Sequence, residues 1–513
     1  MSALTLASRV LGYVRDSLNA ALFGAGTVAD AYFVAFRIPN ILRDLVGEGA
    51  LSAALIPTLA KTARKGGIGE AGRLTSAMLT IVALGGAVLV AAGYFAAPWI
   101  VHFLAPGFLG FPAKFELTVS LTRWLFPFIV FISLAAVTMG LLNSQERFAA
   151  PAMAPLALNA SIILGGVFCL VVGGKIETVI YYWTFAVLLG GAAQWLVQTP
   201  AAGALGFRYS FRLWHPAVVD VALLMAPALV GFSVSQIHIL VNTILASLLP
   251  EGSIAYLYYG NRLMQLPLGV FGVALSTAAY PVVARAFARG RPREAAAPID
   301  HGLCLAFLTV LPASAGLIAL APEINGLLFR YGRFGPADVA VTASVSVAYA
   351  IGIIGHSVGR IFTPAFYAAG KPYLPVVVAG FGVTANVLLS MVLMFPLGIV
   401  GLPLSTSVVA LATALWLGAL LRRSIPGLFG AGVVSSLWRS LLASALMGAV
   451  VWKSAARGRE WLVSAGITGK PAEVLLVLGG IVLGAGVFFL AARLFGVKEL
   501  GEVSRALRGR GGK

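Results

Sequence analysis

Apolar residues occur in runs of about 20 along nearly the whole chain, and short polar or basic stretches separate the runs. Within a run the apolar positions are continuous and do not alternate with polar ones, so the pattern predicts membrane helices and not the strands of a barrel. We expect about fourteen helices. Their predicted cores are 3–24, 28–60, 74–103, 117–143, 151–173, 177–201, 216–248, 253–286, 301–329, 338–368, 372–395, 399–421, 433–452 and 472–496.

Composition supports an all-α polytopic membrane protein. The 513 residues are 59% hydrophobic and only 11% charged, with a mean hydropathy of +0.95, which lies outside the range of soluble globular domains. Cys169 and Cys304 both fall in apolar runs. We therefore expect two buried thiols, with neither a disulfide framework nor a metal site.

The basic residues indicate how the helices are oriented. If the N-terminus is cytoplasmic, 21 of the 36 Lys and Arg residues fall in inside connections and the C-terminal tail, and 8 fall in outside loops. This asymmetry satisfies the positive-inside rule and predicts that both termini are cytoplasmic. The net charge of +18 is then explained by topology and by anionic lipid, without nucleic acid as a partner.

An internal repeat divides the chain. Residues 31–60 align without gaps to residues 255–284, an offset of 224, and the shared positions include Ala50, Leu51, Ser52 and Pro57. The same offset places Ala97-Pro98 opposite Ala321-Pro322. The repeat spans six predicted helices, an even number, so both copies should cross the membrane in the same direction.

The repeat predicts two parallel six-helix lobes. The first lobe is expected at 1–202 and the second at 213–424, with the basic segment around 203–215 between them. Residues 425–513 have no counterpart in the repeat, so they should add two helices and a basic cytoplasmic tail.

Charges interrupt the segment AYFVAFRIPNILRDLVGEGALSAALIP at 31–57, which is otherwise apolar and long enough to cross a bilayer. Asp30, Arg37 and Asp44 are spaced by seven, which predicts one helical face, and Pro39 predicts a kink beside them. An Arg facing lipid at mid-bilayer costs roughly 2.5–3.5 kcal/mol, so these side chains should face the protein interior or water.

The second copy of the repeat keeps the small residues but, of these charges, only Arg262 in the equivalent helix. This asymmetry favours a cationic binding site built mostly by the first lobe over Arg–carboxylate pairs that merely join helices. Because guanidinium groups suit phosphate oxygens, we expect an anionic cargo, phosphate or pyrophosphate. No nucleotide-binding G-x-x-x-x-G-K-[ST] stretch and no catalytic or metal-ligand spacing occurs, which predicts a secondary transporter that is not an enzyme and has no cofactor.

Several segments carry a family resemblance. ASRVLGYVRD (7–16), the helix-2 segment at 30–57, SVSQIHILVNTILAS (233–247), YYGNRLMQLPLGVFGVALSTAAYP (258–281) and TPAFYAAG (363–370) closely resemble the MurJ (MviN) family, lipid II flippases of the MOP exporter superfamily. The resemblance implies a MATE-like V-shaped pair of lobes around a cationic cavity. It also implies transport of the undecaprenyl-pyrophosphate-linked peptidoglycan precursor from the inner to the outer leaflet of the bacterial cytoplasmic membrane.

The resemblance also implies site residues and partners. In the family, the last two helices, here 433–452 and 472–496, form a groove for the lipid tail. The partners implied are lipid II, membrane lipids and, as further candidates, proteins of cell-wall synthesis. Motif matching gives a substrate-binding set of Ser8, Arg9, Arg15, Asp30, Arg37, Asn40, Arg43, Glu48 and Arg262.

The sequence departs from the family pattern at three places. Gln265 stands where many relatives carry Glu, which weakens an ion-coupling role there, and Asp44 stands where relatives often carry a second Arg, which makes the cavity less positive. Relatives also usually have several more residues before the SRVLG motif. Three alternatives stay open: a flippase for another polyprenyl-pyrophosphate-linked glycan, a MATE-like ion-coupled exporter, and a non-transporting scaffold of the cell-wall machinery.

Overall fold

The structure, a computed structural model, describes residues 2–44, 49–269, 273–497 and 499–501. Within these ranges the chain is helical, with short connections and no β-strand, as the sequence predicts. The α-helices in chain order are α1 (Ser2–Phe23), α2 (Thr27–Ala35), α3 (Arg37–Leu42), α4 (Ala50–Leu104), α5 (Pro112–Leu125), α6 (Phe128–Ser144), α7 (Ala149–Val172), α8 (Ile176–Leu196), α9 (Thr199–Ala204), α10 (Ala217–Ser247), α11 (Ser253–Pro267), α12 (Val273–Ala288), α13 (Ala296–Ala319), α14 (Ala321–Phe329), α15 (Pro336–Ile351), α16 (Ile353–Ala368), α17 (Tyr373–Leu397), α18 (Gly401–Ser424), α19 (Ala431–Ser464) and α20 (Lys470–Leu494).

Many of these helices can cross a membrane. In the described part of the chain, nine helical stretches are long and apolar enough by length and composition, and two shorter apolar segments lie at Ala217–Pro227 and Gln236–Ser247. Each of the fourteen predicted cores falls on one or more helices, and the number that crosses the membrane stays a prediction. Cys169 and Cys304 are buried and unpaired, as expected.

The helix predicted over 28–60 is divided at Phe36, beside the kink that Pro39 predicts. α2 ends at Ala35, and after the single residue Phe36 the chain begins α3. Pro39 explains the break, because it has no N–H to donate to the carbonyl of Ala35 four residues earlier. Asp30, Arg37 and Asp44 therefore do not lie along one continuous helix.

The predicted connection at 61–73 is also largely helical. α4 runs on to Leu104 with one sharp turn at Gly67, where φ is +75°. A residue with a side chain rarely adopts this left-handed conformation, so glycine is suited to the turn.

Both copies of the repeat have π-helical residues at similar places, at 43–44 in the first copy and at 268–269 in the second. α3 ends at Leu42 and α4 begins at Ala50. An offset of 224 residues later, α11 ends at Pro267 and α12 begins at Val273. The lobe boundaries drawn from the repeat stay a prediction.

Contacts divide the chain into two compact units. The first runs to Ala255 and includes Tyr331–Gly335, and the second includes Tyr256–Arg330 and continues from Pro336. α10 thus belongs with the first unit, where it packs on α4, whereas the repeat assigns it to the second lobe.

Each unit has its own hydrophobic core. In the first, Leu55 and Leu59 of α4 pack with Val137 and Leu141 of α6. The segment before α10 contacts α4 in the same unit through a hydrogen bond between His215 Nε2 and Glu70 Oε1 at 3.0 Å.

In the second unit the largest described core cluster draws on six α-helices, which are α12, α13, α16, α17, α18 and α19. Its largest buried side chains include Phe307 of α13, Phe362 and Phe366 of α16, and Leu417 of α18. The two helices outside the repeat, α19 and α20, pack against each other, and α19 also packs against α13.

Candidate substrate-binding site

Arg15 is the best-anchored of the predicted site residues. Its Nε and Nη2 donate to Oδ1 of Asp16 at 2.9 and 2.7 Å, and its Nη1 donates to Oδ1 of Asn159 at 3.2 Å. The Asp16 side chain is 3% exposed and that of Arg15 is 16% exposed. The guanidinium is therefore held in a fixed orientation but still reaches the surface of the unit.

Asn159 connects α7 to two turns of α1. Besides accepting from Arg15, it donates through Nδ2 to the carbonyl oxygen of Ser8 at 3.1 Å. The predicted residue Ser8 thus contributes through its backbone. Arg9, the next residue, is half-buried on the same helix. Only the fold shows that Asn159 positions Arg15.

Three of the residues predicted in helix 2, Arg37, Asn40 and Arg43, lie on α3 or just after it. Arg37 and Asn40 are both half-buried on α3. Nε and Nη2 of Arg43 donate to one oxygen of Asp44 at 3.3 and 3.0 Å, and these side chains are 27% and 31% exposed. Glu48 lies outside the described residues.

Asp30 is fully occupied by partners inside the first unit. Its Oδ2 accepts hydrogen bonds from Lys114 Nζ at 2.8 Å and from the N–H of Gly252 at 2.8 Å, and its Oδ1 accepts from the N–H of Ala255 at 3.0 Å. The residue is 2% exposed. Lys114 belongs to the first turn of α5, and its Nζ lies 4.2 Å from the centre of the Phe108 ring.

A second carboxylate lies close to this pair. Oε1 of Glu251 accepts from the N–H and the hydroxyl of Thr27, both at 2.5 Å. These hydrogen bonds lower the pKa of Glu251, although partial burial opposes them. Neither Lys114 nor Glu251 was found from the sequence, because each partner lies far along the chain and no local spacing indicates it.

Arg262 is in the second unit, on α11. Its Nη1 donates to Oε1 of Gln265 at 3.4 Å, and Nε2 of Gln265 donates to Oδ1 of Asn261 at 2.8 Å. The glutamine that replaces the family's usual glutamate therefore takes part in a local chain of neutral groups beside the arginine.

The pairing changes the charge balance of α1–α3. Residues 2–44 include four arginines, at 9, 15, 37 and 43, and three carboxylates, of which Asp30 is paired with Lys114, so that Asp16 and Asp44 remain in the charge count. The excess is two positive charges, or one if Glu48 is included. An excess of guanidinium groups favours binding of an anion with several oxygens.

The helical architecture and this arginine-rich first unit define a multi-pass membrane transporter with the fold of the MOP superfamily. An inward-facing multidrug resistance MATE transporter of that superfamily aligns with a TM-score of 0.68 over 81% of this chain and 95% of its own, at 15% identity, a likeness that shows the fold alone.

The sequence profile described as "Lipid II flippase MurJ" matches residues 19–469, and the chain belongs to this family. It is 37% identical to the lipid II flippase MurJ of Burkholderia cenocepacia over 430 residues, which cover 82% of this chain and 83% of the relative. It is 34% identical to the probable lipid II flippase MurJ of Vibrio cholerae over 522 residues, which cover 97% and 95%. The solved structure of a lipid II flippase MurJ in an inward closed conformation aligns with a TM-score of 0.79 at 25% identity and covers 96% of this chain and 98% of that one.

Proposed function

We propose that this chain is a lipid II flippase that moves the polyprenyl-pyrophosphate-linked peptidoglycan precursor from the inner to the outer leaflet by alternating access. The single observation that carries the proposal is the surplus of guanidinium charge on α1–α3 in a chain that belongs to the MurJ family. A cation exporter would need a carboxylate-dominated site, and Asp30, a carboxylate that is only 2% exposed, is already paired with Lys114.

The arginines act by binding the diphosphate of the headgroup. Charge-assisted, bidentate hydrogen bonds from guanidinium groups are shorter and stronger than neutral ones, and they match the geometry of phosphate oxygens. Arg15 is pre-oriented by Asp16 and Asn159, so less side-chain entropy is lost on binding. Neutralisation of the arginines by the bound diphosphate then favours the change to the outward-open state.

The energy source follows from the same charges. With a cytoplasm that is electrically negative, the membrane potential favours the return of the unloaded, positive site toward the inside. The driving force is about 2.3 kcal/mol per charge per 100 mV for a complete crossing.

The test is a flipping assay in vesicles with purified protein and labelled lipid II. Arg15→Ala and Arg43→Ala together should abolish flipping while the protein remains folded in the membrane. Arg64→Ala, which removes an exposed arginine of α4, is the matched control and should flip at the native rate. Retained flipping by the double variant would refute the role of the arginines.

The nearest alternative cargo is another glycan on the same polyprenyl-pyrophosphate carrier. The arginines bind the diphosphate that both cargoes share, so they do not distinguish the two. Flipping rates measured in the same vesicles with a different lipid-linked sugar do. Restored growth of a strain depleted of its lipid II flippase would separate a transporter of this cargo from a scaffold or a drug exporter.

A further inference from the structure

An open groove runs along the first unit between α4 and the junction of α5 and α6, apart from the predicted binding site. Its volume is about 450 Å³. It is lined by Ala87, Val90, Ala91, Tyr94, Pro127, Val130 and Phe131. The lining is almost entirely apolar, so the groove suits a hydrocarbon chain.

An arginine lies at one end of this groove. The guanidinium of Arg123 lies 4.8 Å from the centre of the Tyr94 ring, and its Nε donates to the carbonyl oxygen of Tyr94 at 3.1 Å. Arg123 lies near the end of α5, Pro127 lies in the junction, and Val130 lies on the first turn of α6.

Aromatic residues indicate the depth of that end in the membrane. Trp124 follows Arg123 and packs edge-on against Tyr181 with ring centres 6.1 Å apart. Phe95 and Trp99, on the turns of α4 beside Tyr94, are among the most exposed aromatic side chains. Trp and Tyr concentrate at the membrane–water interface. Arg123 therefore lies at headgroup level, and the groove extends from it into the hydrocarbon.

Arg123 contacts Tyr94 but has no anionic partner among the described residues. The carbonyl of Arg123 also has no helical donor, because the residue four positions later is Pro127. A cation at the interface above an apolar groove matches an amphiphile with an anionic head.

We propose that this groove binds a phospholipid of the outer leaflet, with its phosphate on Arg123 and one acyl chain along Ala91 and Val130. Guanidinium groups bind phosphate oxygens through charge-assisted hydrogen bonds. The chain fills the space between α4 and α6 beside the Phe126–Pro127 junction, so the bound lipid stabilises the packing of these helices.

Delipidated protein in detergent provides the test, with the thermal unfolding midpoint and lipid retention in native mass spectrometry as readouts. Three probes separate the parts of the ligand: phosphatidylglycerol, diacylglycerol without phosphate, and inorganic phosphate without a chain. Only phosphatidylglycerol should raise the midpoint and remain bound. Arg123→Gln should weaken its retention about tenfold or more. Arg457→Gln, which removes an exposed arginine on α19, should leave retention unchanged.

A second variant tests the groove itself. Ala91 is exposed, so Ala91→Phe should fold normally while filling the channel, and it should lose retention as Arg123→Gln does. Equal protection by inorganic phosphate would make the site a free-anion site and overturn the proposal. Native retention in both variants would show that the lipid binds elsewhere and would overturn it as well.

Discussion

Nζ of Lys114 lies 2.8 Å from Oδ2 of Asp30, and their side chains are 9% and 2% exposed. The two residues are 84 positions apart, on α5 and α2. The backbone N–H groups of Gly252 and Ala255 also donate hydrogen bonds to the carboxylate of Asp30, so the buried ion pair is well satisfied. Such a pair fixes geometry more than it adds stability, but the loss of either member leaves an unmatched buried charge.

We expect Asp30→Asn to destabilise the protein by about 3–5 kcal/mol, because Lys114 would remain buried without a counter-ion. Thermal unfolding in detergent measures the loss. Glu116→Gln, on an exposed position of the same helix α5, is the control and should change the midpoint little. The combined change Asp30→Asn with Lys114→Met should recover part of the loss. A double variant less stable than the single one would contradict the ion-pair explanation.

We expect Asn159→Ala to reduce flipping more than it reduces stability. The change removes the hydrogen bonds to Arg15 and to the Ser8 carbonyl, which together contribute about 1–3 kcal/mol. Flipping rates in vesicles, normalised to folded protein, should fall several-fold because Arg15 loses its orientation. Asn386 makes comparable buried hydrogen bonds to Ser405 and Thr406 in the second unit. Asn386→Ala is therefore the control, and the dependence of its flipping rate on lipid II concentration should be the same as in the native protein. Identical behaviour of the two variants would mean that Asn159 is structural only.

We expect Glu323→Gln to loosen α19 from α14. Glu323 is 4% exposed and pairs with Arg459, while Arg330 pairs with Glu473 of α20 at 2.9 Å. Lys470 adds a hydrogen bond to the Gly326 carbonyl at the end of α14. Hydrogen exchange across 455–473 should accelerate in the variant. Glu460→Gln, at an exposed position of α19, should exchange as the native protein does, and equal protection in both would exclude a docking role for Glu323.

Glu251 should contribute a small pH dependence of stability. Its pKa is lowered from the ordinary value of 4.5 by the hydrogen bonds from Thr27. A lowered pKa in the folded state means that the contribution is present above about pH 4.5 and is lost as the pH falls through the folded value. Unfolding midpoints between pH 3 and 7 should therefore decline less steeply in Glu251→Gln. Parallel curves for the two proteins would show that Glu251 makes no such contribution.

The location of helices was predictable because lipid forces every backbone polar group to pair within its own helix, and this requirement appears as long apolar runs. The break after Ala35 was partly predictable, since Pro39 indicated a kink but not the residue where α2 ends. The helical stretch of 61–73 was missed because polar and basic residues there resemble a loop. The charged residues indicated that the segment is exposed to solvent. Exposure alone does not distinguish a helix that continues beyond the membrane from an irregular loop.

The sequence by itself determined the class of the protein, its helices, the internal repeat and the family, because all of these depend on composition and on local or periodic order along the chain. Only the tertiary structure decided what each charged residue does. Arg15 is positioned by Asn159, 144 residues away, and Asp30 is taken out of the candidate site by Lys114. The physical reason is that Coulomb and hydrogen-bond energies depend on distance in space, and folding brings together residues that no sequence spacing connects.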